Sequence, residues 1–420
     1  MSRIPGLRSL DWLIRLHDRG RTVVPVLTGR RTGVYLLGPD ANAFVFAHDD
    51  HFRFREAFAG LIPVDGETSV IVSDGGDHTR RRGLVRPGLT HRQVGRYLDT
   101  MVRCADEALD TVTPGEPFDA YQLLRAAIRR STMLSLFGDG IGSRAHEVGE
   151  MLQPLLDLID RLPDVVDVHR RLRTPLWRRA MRARAQVDEF VYAEIARERA
   201  GSGDSGRVLS TLVHGRDGTG SGLSDEEVRD QAVTLIAAGY ETTSAAMGWT
   251  LFGLGSRPDL LGAAREEALA IDDVTSEKVA DLRVLQAIVS ESLRLWPPAA
   301  ISARYVAEEL EYAGRRLRPG TFLLYSPYVT HRSAQVYADP LAFRPERWLE
   351  APRRSATEYL PFGGGSHRCI GSTLATIELT VMLSRLVRRG EFELVGAPPR
   401  ATSYAAMRPR DGLRVRLSGD

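Results

Sequence analysis

Cysteine and lysine are almost missing from this sequence. Its 420 residues contain two cysteines, Cys104 and Cys369, and a single lysine, Lys278. Two cysteines so far apart exclude a disulfide-stabilised scaffold and a cysteine-rich zinc module, and they are typical of a reducing, cytoplasmic compartment. Because arginine replaces lysine throughout the chain, the number of arginines reflects a compositional bias, as in a GC-rich genome, and does not indicate a binding function.

An excess of charge of either sign is also missing. Lysine and arginine together number 56 against 54 aspartates and glutamates, which excludes a globally basic protein that binds nucleic acid. Hydrophobic residues at 43% and charged residues at 26% are ordinary for a globular protein with a large core. Length alone suggests about three domains, which is a weak expectation.

The N-terminus has no apolar run of the kind that a signal peptide needs. The longest weakly charged stretch, residues 231–256, carries one charge, Glu241, and is long enough to span a membrane. It also contains several threonines and glycines, so a central helix that is buried on all sides is the better interpretation. We therefore expect no membrane anchor.

Periodicity predicts a mainly α protein with a smaller β-rich part. Ser224 and Glu227 form a capping-box pattern that opens the long central helix, and Asp40 is a candidate N-cap for a short early helix. The sequence predicts no regular secondary structure for residues 50–76. The remaining expected elements are a hairpin over 22–37, helices over 78–199 with breaks at 114–115, 138–140, 163 and 175, a loop over 201–222, helices at 258–271 and 281–295, strands within 301–325 and a helix at 370–389.

The most informative segment is residues 362–371, Phe-Gly-Gly-Gly-Ser-His-Arg-Cys-Ile-Gly. Three glycines predict a tight loop with free backbone N–H groups. Cys369 stands where the loop enters a helix, a position expected to lower the pKa of its thiol. These residues alone leave three interpretations open, namely a buried core cysteine, a nucleophile with His367 nearby, or a metal-bound thiolate.

This segment resembles the heme-binding loop of the cytochromes P450, Phe-x-x-Gly-x-x-x-Cys-x-Gly, and Leu374, Ala375 and Glu378 continue the likeness. The resemblance implies the cytochrome P450 fold around a buried heme b, with Cys369 as the axial ligand of the iron. Phe362 and Gly363 would then belong to the cofactor-binding loop.

A second motif lies in the central helix, where Ala238-Gly239-Tyr240-Glu241-Thr242-Thr243 combines an acid with an alcohol. Considered by itself, this is most simply a polar patch that a neighbouring helix satisfies. The resemblance implies more, because the family places an acid and a threonine here to deliver protons to bound dioxygen. Glu241 and Thr242 are then the catalytic pair.

Glu291 and Arg294 are one helical turn apart, a spacing that is common among surface ion pairs. Their context resembles the Glu-x-x-Arg helix of the family. Arg347, in Phe-Arg-Pro-Glu-Arg-Trp, matches the arginine that completes a structural triad. The resemblance implies that the three residues hold the coil before the cysteine loop.

The two propionates of a heme require cationic donors. His78 and Arg82 are four residues apart and share one face of a helix. By resemblance these two, together with Arg304 and His367, are the propionate contacts. Their neighbours Arg80 and Arg81 are expected to face solvent.

The resemblance also places a hydrophobic substrate against several chain segments. The expected wall residues are Leu61, Ile62, Val70, Ile71, Leu235, Ala238, Ala299 and Ile301. Separately, residues 169–184 hold His169 and seven arginines without an acid. That stretch is either a solvated face or a grip for an anionic substrate, a carrier protein or a lipid surface.

The activity that the resemblance implies is oxidation of a hydrophobic small molecule by dioxygen, typically hydroxylation or epoxidation, in secondary metabolism. Electrons would come from NAD(P)H through a ferredoxin reductase and a ferredoxin, which docks on a basic face containing Arg81, Arg92 and Arg368. Oxidative coupling, peroxide-driven oxidation and a non-catalytic heme carrier or sensor are the alternatives on the same scaffold. Because all motifs must meet at one heme, residues 1–420 are expected to form a single domain.

Overall fold

The structure is a computed structural model. It describes residues 5–28, 31–141, 144–161, 163–201, 206–271, 274–350, 354–402 and 406–418.

Helices dominate the chain, as the periodicity predicts. Prolines begin several of them, because the first turn of a helix does not need the missing N–H. The helices of the described residues are α1 (Pro5–Asp18), α2 (Pro39–Ala47), α3 (Phe54–Ala57), α4 (Ile62–Asp65), α5 (Gly75–Val85), α6 (His91–Gly95), α7 (Leu98–Leu109), α8 (Ala120–Phe137), α9 (Arg144–Ile159), α10 (Pro163–Arg171), α11 (Pro175–Ala200), α12 (Val208–His214), α13 (Asp225–Gly255), α14 (Pro258–Leu269), α15 (Ser276–Asp281), α16 (Arg283–Leu295), α17 (Pro327–His331), α18 (Arg347–Glu350) and α19 (Ser372–Arg388).

The central helix α13 begins with the capping box that the sequence predicts. The Ser224 side chain accepts from the Glu227 N–H at 3.1 Å, and the Glu227 carboxylate accepts from the Ser224 N–H at 3.1 Å. Helices α8, α11, α16 and α19 pack around α13, which explains its lack of a polar face. No helix in the described ranges is long and apolar enough to cross a membrane.

Short strands form a smaller part of the fold. A five-stranded sheet has the order β1-β2-β8-β5-β3, with β1 and β2 forming the expected hairpin, in which Val23 pairs with Leu36. The strands are β1 (Val23–Thr28), β2 (Arg31–Leu36), β3 (Phe52–Arg53), β4 (Pro117–Asp119), β5 (Ser302–Val306), β6 (Leu310–Tyr312), β7 (Arg315–Leu317), β8 (Phe322–Tyr325), β9 (Phe392–Leu394), β10 (Ala401–Thr402), β11 (Arg408–Pro409) and β12 (Arg414–Leu417).

Three local predictions need correction. The segment 201–222 is not all loop, because Val208–His214 form α12. The N-cap of α2 is Gly38 and not Asp40, because Gly38 has a φ of 97° and Pro39 occupies the first helical position. Residues 50–76 are not irregular, since they contain β3, α3, α4 and the 3-10 turns Ala59–Leu61 and Val70–Val72. Such short elements are stabilised by contacts distant in sequence and leave no periodic signal.

The glycine-rich segment before α19 lies where two hydrophobic clusters approach each other. Phe362 and Ile370 pack against the large helical core that contains α7, α8, α13 and α19. Tyr325 lies in the smaller core under the five-stranded sheet, and Phe46 packs against that core. The loop is therefore supported from both sides.

Candidate functional site

The cysteine loop is a tight turn that only glycine allows at several positions. The Cys369 N–H donates to the Phe362 carbonyl at 2.8 Å and closes the loop. Gly363 and Gly365 have φ angles of 67° and 71°, in the left-handed region. A Cβ on Gly364 would collide with the Phe46 ring, and one on Gly365 would collide with the Asp49 carboxylate.

The Cys369 thiol lies in a recess three residues before the first residue of α19. Its side chain keeps accessible surface, yet protein atoms surround it so closely that burial raises the pKa of the thiol. The Gly371 N–H and the charges of Arg82 and Arg368 oppose that effect without reversing it. For the free thiol, with no metal bound to the sulfur, the prediction that the loop lowers this pKa was therefore wrong.

His367 stands in a stack of three rings. Its ring centroid is 3.2 Å from that of Phe54 and 3.6 Å from that of His78, with interplanar angles of 10° and 13°. Its Nε2 hydrogen-bonds with the Ser73 carbonyl at 3.0 Å. Burial, followed by the charge of His78, lowers the pKa of His367 to about 3, so this imidazole is neutral in the folded protein.

Two arginines border the same stack. An Nη2 hydrogen of Arg82 donates to the Arg368 carbonyl at 2.6 Å, beside Cys369. Arg304 is buried with its guanidinium carbon 4.0 Å from the centroid of the Phe54 ring. The structure thus brings His78, Arg82, Arg304 and His367 together, and the charges of the first three all lower the pKa of His367.

Two buried nitrogens in this cluster have no hydrogen-bond partner among the described residues. They are Nε2 of His78 and Nε of Arg304. Asp49 is the nearest acid, 3.7 Å from the Arg304 Nε, and it already accepts from the Ser366 N–H. Unsatisfied buried donors are costly, so the cluster has the donor set that an anionic group needs.

Arg80 and Arg81 do not face solvent as the sequence suggested. Both guanidinium groups pair with the Glu227 carboxylate at the start of α13, at 2.9 Å for Arg81. Arg81 also donates to the Ser73 hydroxyl at 2.8 Å. These arginines therefore join α5 to the central helix.

The acid–alcohol motif lies in the middle of α13. The Thr242 hydroxyl donates to the Ala238 carbonyl at 2.7 Å, as expected for a threonine within a helix. The Glu241 carboxylate accepts from Arg125 of α8, and the same Arg125 donates to Gln153 of α9 at 2.9 Å. A neighbouring helix therefore satisfies the acid, which is the simpler interpretation that the residues alone allowed.

Ala238 is exposed although it lies near the middle of a helix that is buried along most of its length. Its neighbours Leu235, Gly239 and Thr242 are half-buried on the same stretch. This side of α13 consequently borders an internal space and not the packed core. Helix α13 also packs against α19, the helix that follows Cys369.

The remaining expected wall residues differ in exposure. Ala299 and Ile301 are exposed, while Leu61, Ile62 and Ile71 are half-buried. Val70 is buried, and its N–H donates to the Gln231 side chain of α13 at 2.8 Å. Val70 thus presents little surface of its own and fixes the backbone of its neighbours.

Glu291, Arg294 and Arg347 form the expected triad. The Glu291 carboxylate accepts from the Arg294 Nη2 at 2.7 Å and from the Arg347 Nε at 3.1 Å. The indole of Trp348 and the Arg344 backbone N–H add bonds of 2.9 and 2.8 Å. Burial alone would raise the pKa of Glu291, but these partners, with Arg294 foremost, hold it below its usual value.

The cytochrome P450 family model matches residues 10–413. A relative named putative cytochrome P450 139, from Mycobacterium bovis, is 44% identical over 91% of each chain. The chain belongs to the cytochrome P450 family. It is a heme-thiolate monooxygenase of that family.

Two further similarities are to another relative and to a solved structure. A Streptomyces melanosporofaciens cytochrome P450 relative, cyclooctat-9-en-7-ol 5-monooxygenase, is 34% identical over 76% of this chain and 72% of its own length. The solved structure of the retinoic-acid-bound cyanobacterial CYP120A1 superposes with a TM-score of 0.86. It has 22% identity and covers 98% of this chain and 95% of that one.

The residues of this cytochrome P450 fit the heme that the family carries. A single cysteine in an accessible recess suits one axial thiolate, since the described residues contain no cluster of His, Cys, Asp and Glu that could hold a metal ion. The unpartnered nitrogens of His78 and Arg304 suit propionate carboxylates.

Several contributors to this P450 site escaped sequence reasoning. Phe54 and Asp49 lie in and beside a segment that looked irregular, although one stacks on His367 and the other accepts from the cysteine loop. Arg125 is one of 55 arginines and carried no motif. Only the unexplained burial of Glu241 could have signalled that such a partner was needed.

A buried polar network joins the loop after α4 to the start of α13. The Thr68 N–H and hydroxyl both donate to Asp230, at 2.9 and 2.7 Å. Arg229 pairs with Asp230 at 2.8 Å and with Asp188 of α11. Burial raises the pKa of the nearby Asp65 to about 7.

Proposed function

We propose that this cytochrome P450 inserts one oxygen atom of dioxygen into a C–H bond of a hydrophobic, terpenoid-like small molecule. The balanced reaction consumes the substrate, dioxygen, two electrons and two protons, and yields an alcohol and water. The observation that carries the proposal is the accessible Cys369 recess bordered by unpartnered buried donors on His78 and Arg304.

Five residues would hold the heme. Cys369 supplies the thiolate ligand, and its raised thiol pKa means that the thiolate forms together with binding of the metal. His78, Arg82, Arg304 and His367 contact the propionates. When bound, the heme supplies activation of dioxygen, which amino acid side chains cannot perform.

Thr242 and Glu241 would transfer the protons that the reaction consumes. The Thr242 hydroxyl proton is engaged by the Ala238 carbonyl at 2.7 Å, so the threonine oxygen offers its lone pairs toward the internal space. Glu241 lies next in the helix and is held by Arg125. An acid held in one place near an alcohol is suited to pass protons inward from solvent.

The electrons would come from NAD(P)H through a ferredoxin reductase and a ferredoxin. Arg368 and Arg92 are exposed and remain candidates for contact with an acidic ferredoxin. Arg81 no longer supports such docking, because Glu227 and Ser73 occupy its guanidinium group. The 420 residues would act as one domain around this site.

The substrate wall is apolar. Ala238, Ala299 and Ile301 are exposed aliphatic side chains, with Leu61, Ile71 and Leu235 half-buried. The relative named for a cyclooctatin-related alcohol supports a polycyclic terpenoid as the substrate class. A spectral titration with diterpene alcohols tests this, because a substrate that binds beside the heme would shift its Soret band. A fatty acid that gave the larger shift would contradict the terpenoid assignment.

The carbon monoxide difference spectrum tests the heme-thiolate assignment. We expect the reduced, CO-treated protein to show the red-shifted Soret band of a thiolate-ligated heme, and Cys369→Ala to abolish it. Cys104→Ala is the matched control, because Cys104 is buried in the helical core, and its variant should keep the band. A Cys369→Ala protein with an unchanged band would overturn the assignment.

A further inference from the structure

Asp49 lies between the cysteine loop and one of the arginines that border the ring stack. It begins the 3-10 turn Asp49–His51, which follows α2 and leads into β3. Strand β3 pairs with β5 through Phe52 and Val306, and β5 carries Arg304. The sheet therefore places the Asp49 carboxylate beside a guanidinium group that is distant in sequence.

The two carboxylate oxygens of Asp49 have different surroundings. Oδ2 accepts from the Ser366 N–H, and Gly365 has no side chain at the point where a Cβ would collide with this carboxylate. Oδ1 is buried, has no hydrogen-bond partner among the described residues, and lies 3.7 Å from Nε of Arg304. One oxygen is enough to hold the loop, so the second oxygen gives the site a negative charge that the loop itself does not need.

A second acid near the stack, Asp74, is bonded differently. Its two oxygens accept from backbone N–H groups of α3 at 2.7 and 3.2 Å. The charges of both acids reach His78, because burial and then the charge of Arg82 lower the pKa of His78, while Asp74 and Asp49 oppose that shift. The charge of Asp49 therefore acts on the cluster beyond the one arginine that it faces.

We propose that Asp49 is a positioning residue that fixes Arg304 and the cysteine loop and, through its charge, favours the ferric heme over the ferrous one. This inference rests on the proposed function, in which Arg304 contacts a propionate. Reduction adds one electron to the iron and so lowers the positive charge of the cofactor by one. A fixed negative charge in a largely buried place, where salt screens it little, stabilises the more positive ferric form. Asp49 thus makes the heme harder to reduce.

The charge balance of the site gives Asp49 this effect. Arg82 and Arg304, two of the proposed propionate contacts, carry two positive charges, which the two propionates of a heme would match. Asp49 adds another negative charge beside Arg304, whose side chain is 2% exposed. In the part of the chain that the structure describes, Asp49 forms no other ion pair. Its charge is therefore not cancelled by a cation of its own.

A purely structural role for Asp49 would need only the hydrogen bond from Ser366. An asparagine or a serine supplies such an acceptor without a charge, because an amide oxygen and a hydroxyl oxygen both accept from an N–H. Replacing the acid by either residue therefore separates the two roles. The bond to the loop is kept, and the charge beside Arg304 is lost.

Spectroelectrochemical titration of the heme-loaded protein tests the proposal, with the electron supplied by the electrode through mediators. At the wild-type midpoint potential, Asp49→Asn and Asp49→Ser should each show a ratio of ferrous to ferric heme about three- to tenfold higher than the wild type. Asp50→Asn is the matched control, because it removes the same charge from the next residue. The Asp50 side chain is 81% exposed and pairs with His51, so its variant should keep the wild-type ratio.

Each outcome decides the matter. A higher ratio in the Asp49 variants but not in Asp50→Asn supports the proposal. A wild-type ratio in the Asp49 variants, or an equal rise in Asp50→Asn, overturns it. Loss of heme from both Asp49 variants also overturns it, because the charge would then be needed to build the site and not to set its potential; if one variant holds heme, its ratio decides. The CO spectrum keeps the two failures apart, since a wild type without the thiolate Soret band would contradict the proposed function itself.

Discussion

Arg125 of α8 donates to the carboxylate of Glu241 in α13 across 116 positions of sequence. The pair is largely buried, since the two side chains are 18% and 13% exposed. The guanidinium group also lies 5.5 Å from the centroid of the Tyr240 ring and bonds Gln153. The acid of the acid–alcohol motif is thus fixed by Arg125 of α8, which Gln153 of α9 holds in turn, and does not point freely into the site.

Arg125→Ala should reduce both the stability of the fold and the coupling of NAD(P)H consumption to product formation. It leaves a partly buried carboxylate without its partner, which costs about 2 kcal/mol after allowance for partial exposure. We expect product formed per NAD(P)H consumed to fall about tenfold, with more peroxide released, because the acid loses its fixed position. Assays of product and of peroxide measure how the NAD(P)H consumed divides between the two. Arg125→Lys should recover part of the lost product yield.

Arg130→Ala is the control on the same helix. Its ion pair with Glu107 is exposed on both sides, so its loss should cost less than about 1 kcal/mol and leave coupling unchanged. If both variants coupled equally well, Arg125 would have no positioning role.

Glu291→Gln should destabilise the protein by about 3–5 kcal/mol and reduce heme retention. The neutral amide leaves the fully buried Arg294 without a counter-charge and weakens the bond from Arg347. Chemical denaturation and the ratio of Soret to protein absorbance measure the two effects. Arg344→Ala is the control, because its exposed side chain pairs with Asp339 while its backbone N–H still donates to Glu291.

The pKa of Glu291 gives the triad a definite pH dependence. The folded protein holds this pKa below its unfolded value, so the stabilisation is fully present above the unfolded value and is lost as pH falls through the folded one. Stability should therefore decline in acid more steeply in the wild type than in Glu291→Gln. Parallel pH profiles for the two proteins would contradict this account.

Local chemistry determined what the sequence could predict. The helix breaks at Pro163 and Pro175 and the capping box at Ser224 follow from neighbouring residues, and all three are confirmed, with α10 and α11 beginning at the two prolines. The same holds for the hairpin over β1 and β2. In each case the relevant energies act within a few residues of one another.

The features that the sequence could not predict depend on tertiary contacts. Strand β3 has two residues and exists because Phe52 pairs with Val306, a partner distant in the chain. The pKa of Cys369 was misjudged for a related reason, since a local argument from the helix dipole ignored desolvation by packed neighbours. Phe54 and Arg125 likewise contribute to the site only because folding brings them against His367 and Glu241, which are distant in sequence.

Gly364→Ala should prevent the cysteine loop from closing. The added Cβ would collide with the Phe46 ring, which is packed against the sheet core. We expect a loss of heme content with little change in helix content by circular dichroism. Gly76→Ala is the control, because a Cβ there meets nothing within 4 Å. Full heme retention by Gly364→Ala would show that the loop can rearrange.

Asp65→Asn should flatten the stability profile between about pH 4 and 7. Burial raises the folded-state pKa of Asp65 to about 7, with Arg229 opposing and Asp230 reinforcing the shift. An acid whose pKa is raised by folding lowers the free energy of unfolding as pH rises from its unfolded-state pKa to its folded-state pKa. Above the folded-state pKa the loss of stability stays constant.

Asp65→Asn should therefore gain stability over the wild type as pH rises through this window, by at most about 4 kcal/mol. The amide cannot ionise, so it avoids the cost of a buried charge beside Asp230. Urea denaturation at matched pH values measures the difference. Asp139→Asn is the control, since this aspartate is exposed beside Arg103, and its variant should follow the wild type. A stability difference between Asp65→Asn and wild type that did not change with pH would show that Asp65 keeps one protonation state throughout.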